Sequence, residues 1–219
     1  AEISCRQGLV AAKTVGDTAA HCLLLVRLGD ALKRQGNYAE AQRQYEAASE
    51  SLRDWDNPKE HQFISHWQAR IGRKQGTLYL FMGCPRDAIP LLMLSRAEFR
   101  AQAHEYEQVR VCYSLAWAAN LLGDFDGGKE WVREALDLND HLREERGWED
   151  KQTTLQGHLS LGECQLNCGA YEQASEQLTK ALQLVEVDPT LSQHHETGRL
   201  FLLWARLDAQ ADELGQAEG

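Results

Sequence analysis

The chain has 219 residues, 43% apolar and 26% charged, with 33 acidic against 23 basic side chains and a net charge of −10. That composition suits a folded globular chain, and with 4 prolines it excludes collagen-like and low-complexity sequence. The acidic balance opposes generic attraction to nucleic-acid phosphates or to an anionic membrane surface. No apolar stretch approaches the roughly 18 to 20 residues needed to span a bilayer, since the longest are 23–26 and 201–204. The chain opens at Ala1 with no basic segment and apolar core of a leader, so it reads as a piece excised from a longer protein. Cys5, Cys22, Cys84, Cys112, Cys164 and Cys168 are thinly spread over a chain large enough to bury its own core. They are expected to be free thiols in a reducing cytoplasm.

In chain order, residues 1–17 carry a leading helix from about Ile3 to Val15. Residues 18–57 hold Leu28-Gly29-Asp30, then Gly36-Asn37-Tyr38-Ala39-Glu40-Ala41, then Tyr45 and Ala48. The same spacing returns in 148–191 as Leu161-Gly162-Glu163, Gly169-Ala170-Tyr171-Glu172-Gln173-Ala174, Leu178 and Ala181. Two looser copies lie between. In 58–105 they are Gly76, Tyr79, Gly83, Ala88, Leu92 and Ser95; in 106–147 they are Leu115, Ala116, Gly123, Asp124, Phe125, Gly128, Val132 and Ala135. A half-copy in 192–219, with Trp204, Leu207, Asp208 and Gly215, lies on a last helix from about Glu196 to Leu214.

Each copy reads as two antiparallel helices. Gly29, Gly76, Ala116 and Gly162 are small where the paired helix crosses, with Ala41, Ala88, Gly128 and Ala174 as reciprocal contacts. Gly36, Gly83, Gly123 and Gly169 end the first helices in a left-handed cap, and Tyr38, Phe125 and Tyr171 cover the turn. Pro85 takes the aromatic's place in the second copy, and Pro90 is expected to delay or kink the helix that follows.

This arrangement of small residue, Gly, aromatic and Ala resembles the tetratricopeptide repeat. The resemblance implies an all-α solenoid, a right-handed superhelix of antiparallel helix pairs, over a single domain 1–219. Separations of 47, 40 and 46 between the small residues exceed the usual 34. Lengthened units are similar to those of kinesin light chains, of spindle-orientation and cell-polarity scaffolds, and of certain bacterial signal-responsive transcription regulators. Because each repeat covers its neighbour's apolar face, the terminal helices are expected to be partly exposed and prone to pair with another copy.

Catalytic motifs are missing: GxGxxG, Walker, GxSxG and HExxH patterns do not occur, and no enzymatic activity and no cofactor are expected. Cys164 and Cys168 with His158, the pair His61 and His66, and His194-His195 read as packing or solvated residues, so no metal site is expected. Trp131, Trp148, Trp204, Phe63 and Phe99 read as packing residues.

The family likeness implies that first helices line a concave face through residues six and three before, and one and four after, the small position. Those offsets select Leu23, Val26, Asp30 and Lys33; Arg70, Arg73, Thr77 and Leu80; Arg110, Tyr113, Trp117 and Asn120; and Gln156, Leu159, Glu163 and Leu166. Arg70, Arg73, Arg110, Tyr113, Trp117 and Asn120 form a cationic and aromatic set in an acidic chain. They suit a peptide or helix that carries carboxylates and an apolar anchor. Pairing of the arginines with carboxylates on neighbouring helices is the competing reading. Residues at these places differ from those by which related domains grip a chaperone's terminal carboxylate. The expected function is a protein-interaction scaffold. A regulatory or oligomerisation module controlling an effector domain elsewhere is the alternative.

Overall fold

The computed structural model describes residues 2–55, 60–147, 150–193 and 195–217, with side chains at 193, 195 and 211–217 excepted. Ten α-helices account for nearly all of them: α1 (Glu2–Val15), α2 (Thr18–Arg34), α3 (Tyr38–Arg53), α4 (His61–Phe81), α5 (Pro85–Ala101), α6 (Glu105–Leu122), α7 (Phe125–Arg146), α8 (Lys151–Asn167), α9 (Tyr171–Val187) and α10 (His195–Ala217). A 3-10 turn, Pro189–Gln193, precedes α10. No strand occurs among the described residues, and the fold is an all-α solenoid of helix pairs.

The caps follow the sequence. Gly36, Gly83, Gly123 and Gly169 have φ of 76°, 72°, 78° and 76°, the left-handed region a residue without Cβ adopts freely. Asn37 and Asp124 then accept the amides of Glu40 and Gly127 at the starts of α3 and α7. Pro85 occupies the first turn of α5, where its missing N–H costs nothing, so the helix is not delayed. Pro90 sits inside the same helix on its exposed side. Gly215 lies within α10 rather than ending it.

The chain divides into two compact units, 1–107 and 108–219, with the boundary in the first turn of α6. In unit 1, α1 packs on α2, α2 pairs with α3, α3 meets α4, and α4 pairs with α5. In unit 2, α7 packs on α8, α8 pairs with α9, and α10 lies against both. Charge is divided unevenly: 14 basic and 13 acidic residues lie in 1–107, against 9 and 20 in 108–219. Unit 1 is therefore near neutral at +1, and unit 2, at −11, accounts for all of the net negative charge.

Three faces of each first helix follow from the small position. At about 100° per residue, the residues seven and three before it lie near it and under the paired helix. All are buried: Cys22 and Val26, Ala69 and Arg73, Val109 and Tyr113, Leu155 and Leu159. The residues five and two before and two after lie roughly opposite. In unit 2 this face of α8 meets the preceding pair, through Gly157 against Tyr113 and Cys164 against Gly128. Between the two faces, the residues six before and one after are left half-buried: Leu23 and Asp30, Arg70 and Thr77, Arg110 and Trp117, Gln156 and Glu163.

The small positions differ in how tightly they are closed. A Cβ at Gly29 would lie 2.6 Å from the ring of Tyr45, which is fully buried and donates a hydrogen bond to Asp30 at 2.7 Å. At Gly162 the nearest atom would be a methyl of Leu178 at 3.1 Å, the end of a flexible side chain. Gly29→Ala is therefore expected to destabilise by about 1 to 3 kcal/mol through overpacking, and Gly162→Ala by less than about 1 kcal/mol, in urea unfolding of the two variants.

Candidate functional site

The six residues expected on a concave face do not all reach a surface. Arg73 is only 5% exposed, and its Nε stands 3.1 Å from Oε2 of Glu107. Arg70 brings its Nε to 3.2 Å from Oε1 of the same carboxylate, while its guanidinium lies 4.6 Å from the centre of the Trp67 ring. Two arginines thus share one carboxylate within unit 1, so the competing pairing holds for both.

Arg110, Tyr113, Trp117 and Asn120 all lie on α6, in unit 2. Tyr113 is fully buried, with its hydroxyl against Gly157 and without a hydrogen-bond partner among the described residues. Burial pushes that hydroxyl well above its ordinary pKa, so it stays a neutral phenol. Tyr113 is a core residue and not a groove aromatic. Position explains the difference: three before the small residue lies roughly 40° nearer the paired helix than one after it. Asn120 is half-buried beside Cys164, its Oδ1 3.2 Å from where a Cβ of Gly128 would stand. Arg110 and Trp117, seven apart on one line of α6, remain half-buried.

Sequence reasoning missed a second cationic group in unit 1. Lys74 donates to Asp30 at 2.6 Å, Tyr45 donates to the same carboxylate, and Lys33 lies over the Phe81 ring at 4.9 Å. Arg34 donates through Nε to the Asp30 carbonyl at 3.3 Å. Burial would raise the Asp30 carboxyl, but Lys74, Tyr45 and Lys33 outweigh it and hold the pKa below its ordinary value. Burial, then the neighbouring Arg73, lowers Lys74 to about 8. Five cations, Lys33, Arg34, Arg70, Arg73 and Lys74, therefore stand on α2 and α4 with two carboxylates, Asp30 and Glu107. The signal for Lys74 was present in the chain, two residues before the small Gly76, on a face the concave offsets leave out.

A tetratricopeptide repeat signature matches residues 24–51 and 109–141, one stretch in each unit. It is a tetratricopeptide-type repeat chain. Its fold is similar to the crystal structure of BtubC (BKLC) from P. vanneervenii, with a TM-score of 0.55 and 14% sequence identity. That likeness covers 84% of this chain and 89% of the other. No curated protein sequence matches the chain. Tetratricopeptide repeats generally mediate contacts between proteins and are generally non-catalytic.

The remaining constellations of this repeat chain are packing groups. Cys164 is buried, Cys168 is exposed beyond the end of α8, and His158 meets Gln177 at 3.0 Å. Among the described residues no three His, Cys, Asp or Glu side chains could hold a metal ion, and no helix is long and apolar enough to cross a membrane. His66 packs edge-on against Phe99 and lies 4.4 Å from the His104 ring. Burial, His104 and Arg70 together keep its pKa low. Phe63 packs between Trp55 and Trp67. Trp148 and His194 lie outside the described residues. All six cysteines are unbridged.

Two outcomes follow from burial. Tyr113→Ala is expected to lower stability by about 3 to 5 kcal/mol as a cavity forms. Tyr113→Phe, which loses only the unpartnered hydroxyl, should change it by less than about 1 kcal/mol in the same unfolding assay. The unfolded chain holds the Lys74 proton up to about 10.5 and the folded chain to about 8. Between those values the unfolded state binds the extra proton, so stability rises with pH. The rise is best read from pH 8 to 9, because buried Cys22 and Cys164, both pushed up to about 11, oppose it once free thiols ionise near 9. Lys74→Met should abolish it in unfolding curves taken at those two pH values.

Proposed function

We propose that the chain is a scaffold for protein partners, and that unit 1 takes an acidic segment along α2 and α4. The observation that carries this reading is the crowding of five cations around two carboxylates in a chain of net charge −10. Burial first and then the neighbouring Arg73 lower Lys74, and an incoming carboxylate relieves the like-charge part of that cost at the moment of binding. The half-buried Arg70 supplies a planar donor for such a group. Trp67 and Phe81, each capped by a cation, supply apolar contact beside it.

Within unit 2, Arg110 and Trp117 on their half-buried line of α6, with Asn120 one step further on, form the second part of this reading. Arg73 and Tyr113 act from below, as supports for the helices that present the others. Unbridged thiols suit a reducing cytoplasm.

The test uses the whole chain and two fluorescent peptides, one alternating Asp with Leu and one alternating Lys with Leu, followed by polarisation. The acidic peptide is expected to bind, to weaken as salt rises, and to lose at least about tenfold in affinity when Lys33→Glu is combined with Arg34→Glu. Lys33 is half-buried and Arg34 exposed, and the variant should keep its helical circular dichroism. Equal binding of both peptides, or binding indifferent to salt, would defeat the proposal.

A further inference from the structure

The second helices of the pairs differ on their outer faces. Two and nine residues after the small positions Ala41, Gly128 and Ala174 stand Arg43 and Glu50 in α3, Glu130 and Asp137 in α7, and Glu176 and Gln183 in α9, all exposed. In α5, counted from Ala88, those places hold Pro90 and Ala97, which are exposed as well. Five after, Glu46, Arg133 and Thr179 give way to Met93, which is 41% open. Leu94 beside it is 71% open. Three outer faces are thus polar at these places, and that of α5 is apolar over two turns.

At about 100° per residue, Pro90 and Ala97 lie within about 20° of one line along this helix. Arg86 and Met93 stand roughly 40° and 60° to one side of Pro90, and Leu94 and Asp87 roughly 40° and 60° to the other. All four are exposed. The two flanks of the line are therefore unlike: each has an apolar side chain two turns after a charged one, and the charges are opposite in sign. Neither Arg86 nor Asp87 is engaged in an ion pair among the described residues.

We infer that the outer face of α5 pairs with the same face of a second copy, the two helices running parallel about a two-fold axis along the seam of Pro90 and Ala97. Such an axis turns the first flank of one copy to the second flank of the other at equal height. Arg86 then meets the partner's Asp87, and Met93 meets the partner's Leu94, each contact made twice. Pro90 and Ala97 are short enough on the seam to let the axes approach. Antiparallel helices would bring like flanks together in reversed order and set Arg86 against the partner's Arg100, so charge selects the parallel direction. It also selects the occupant, because the outer faces of α7 and α9 offer carboxylates to Arg86 but no apolar side chain to Met93 at the matching places. The helix belongs to residues 1–107, at +1, so two copies meet there without the repulsion that 108–219, at −11, would impose. With one helix from each copy the contact is small, and the dimer forms only at high concentration. Being isologous, it closes at two.

Sedimentation velocity of the 219-residue chain over a concentration series tests this. The weight-average mass should rise with concentration and level off at twice that of one chain. Leu94→Asp, on an exposed side chain and checked for unchanged helix content, should weaken the dimer at least about tenfold. Arg86→Asp and Asp87→Arg should each weaken it by about tenfold, since either change turns both ion pairs into like-charge contacts. Mixed in equal amounts, those two variants should dimerise about as tightly as the wild type, because opposite charges again face each other at both places. A wild-type chain that stays monomeric up to about 1 mM, or one that grows past the dimer, would overturn the inference. So would a Leu94→Asp chain that pairs as the wild type does, a mixture that pairs no better than its components, or tightening by Arg86→Asp, the result the antiparallel arrangement gives.

Discussion

Two helices bring their axes closest where one of them has a small side chain or none, and most of this chain's organisation rests on that contact. With no Cβ at Gly29, the Tyr45 ring occupies the space a side chain would take on α2. Its hydroxyl then reaches Asp30, and Asp30 in turn holds Lys74 on α4. A missing methyl thus aligns one pair and ties it to the next by an ion pair that is mostly withdrawn from water. Gly76 against Leu92 and Gly162 against Leu178 repeat the first half of that sequence with aliphatic partners. Tyrosine in the first pair is what adds the polar second half.

Much of this could be read before any coordinates. Small residues, left-handed glycines and the aromatics that follow them are local signals, each required by the backbone at its own position, so they survive in a single sequence. Which face of a first helix opens to solvent is a different kind of fact. It depends on the angle at which a neighbour leans, and a difference of roughly 40° separates Thr77 from Arg73 and Trp117 from Tyr113. The chain spells arginine and tyrosine at buried positions that aliphatic residues fill elsewhere, Val26 and Leu159, and nothing local marks the exception. Glu107 explains Arg73, but it lies 34 positions away and belongs to the next helix pair.

Burying Arg73 has a cost and a use. The guanidinium leaves water for a carboxylate it shares with Arg70, a geometry in which either partner alone would be strongly destabilising. A shift of α4 by one turn would strand a charge at Glu107, so the cluster opposes such a shift. It also leaves excess positive charge beside the half-buried Arg70. On the function proposed above, structural support and ligand attraction come from the same few side chains. Reversing a charge in the buried layer would confound the two, whereas Lys33 and Arg34, nearer the surface of α2, separate them.

The uneven division of charge sets how the molecule comes apart. With 20 acidic residues against 9 basic ones, the second unit repels itself, and salt screens that repulsion between charges farther apart than a Debye length, about 10 Å at 0.1 M. The first unit, with 14 against 13, has little net repulsion to screen. Lowering ionic strength thus loosens one half selectively, and an array whose neighbours no longer match in stability ceases to melt in a single step. Cooperativity in this chain is a property of the solvent as well as of the fold.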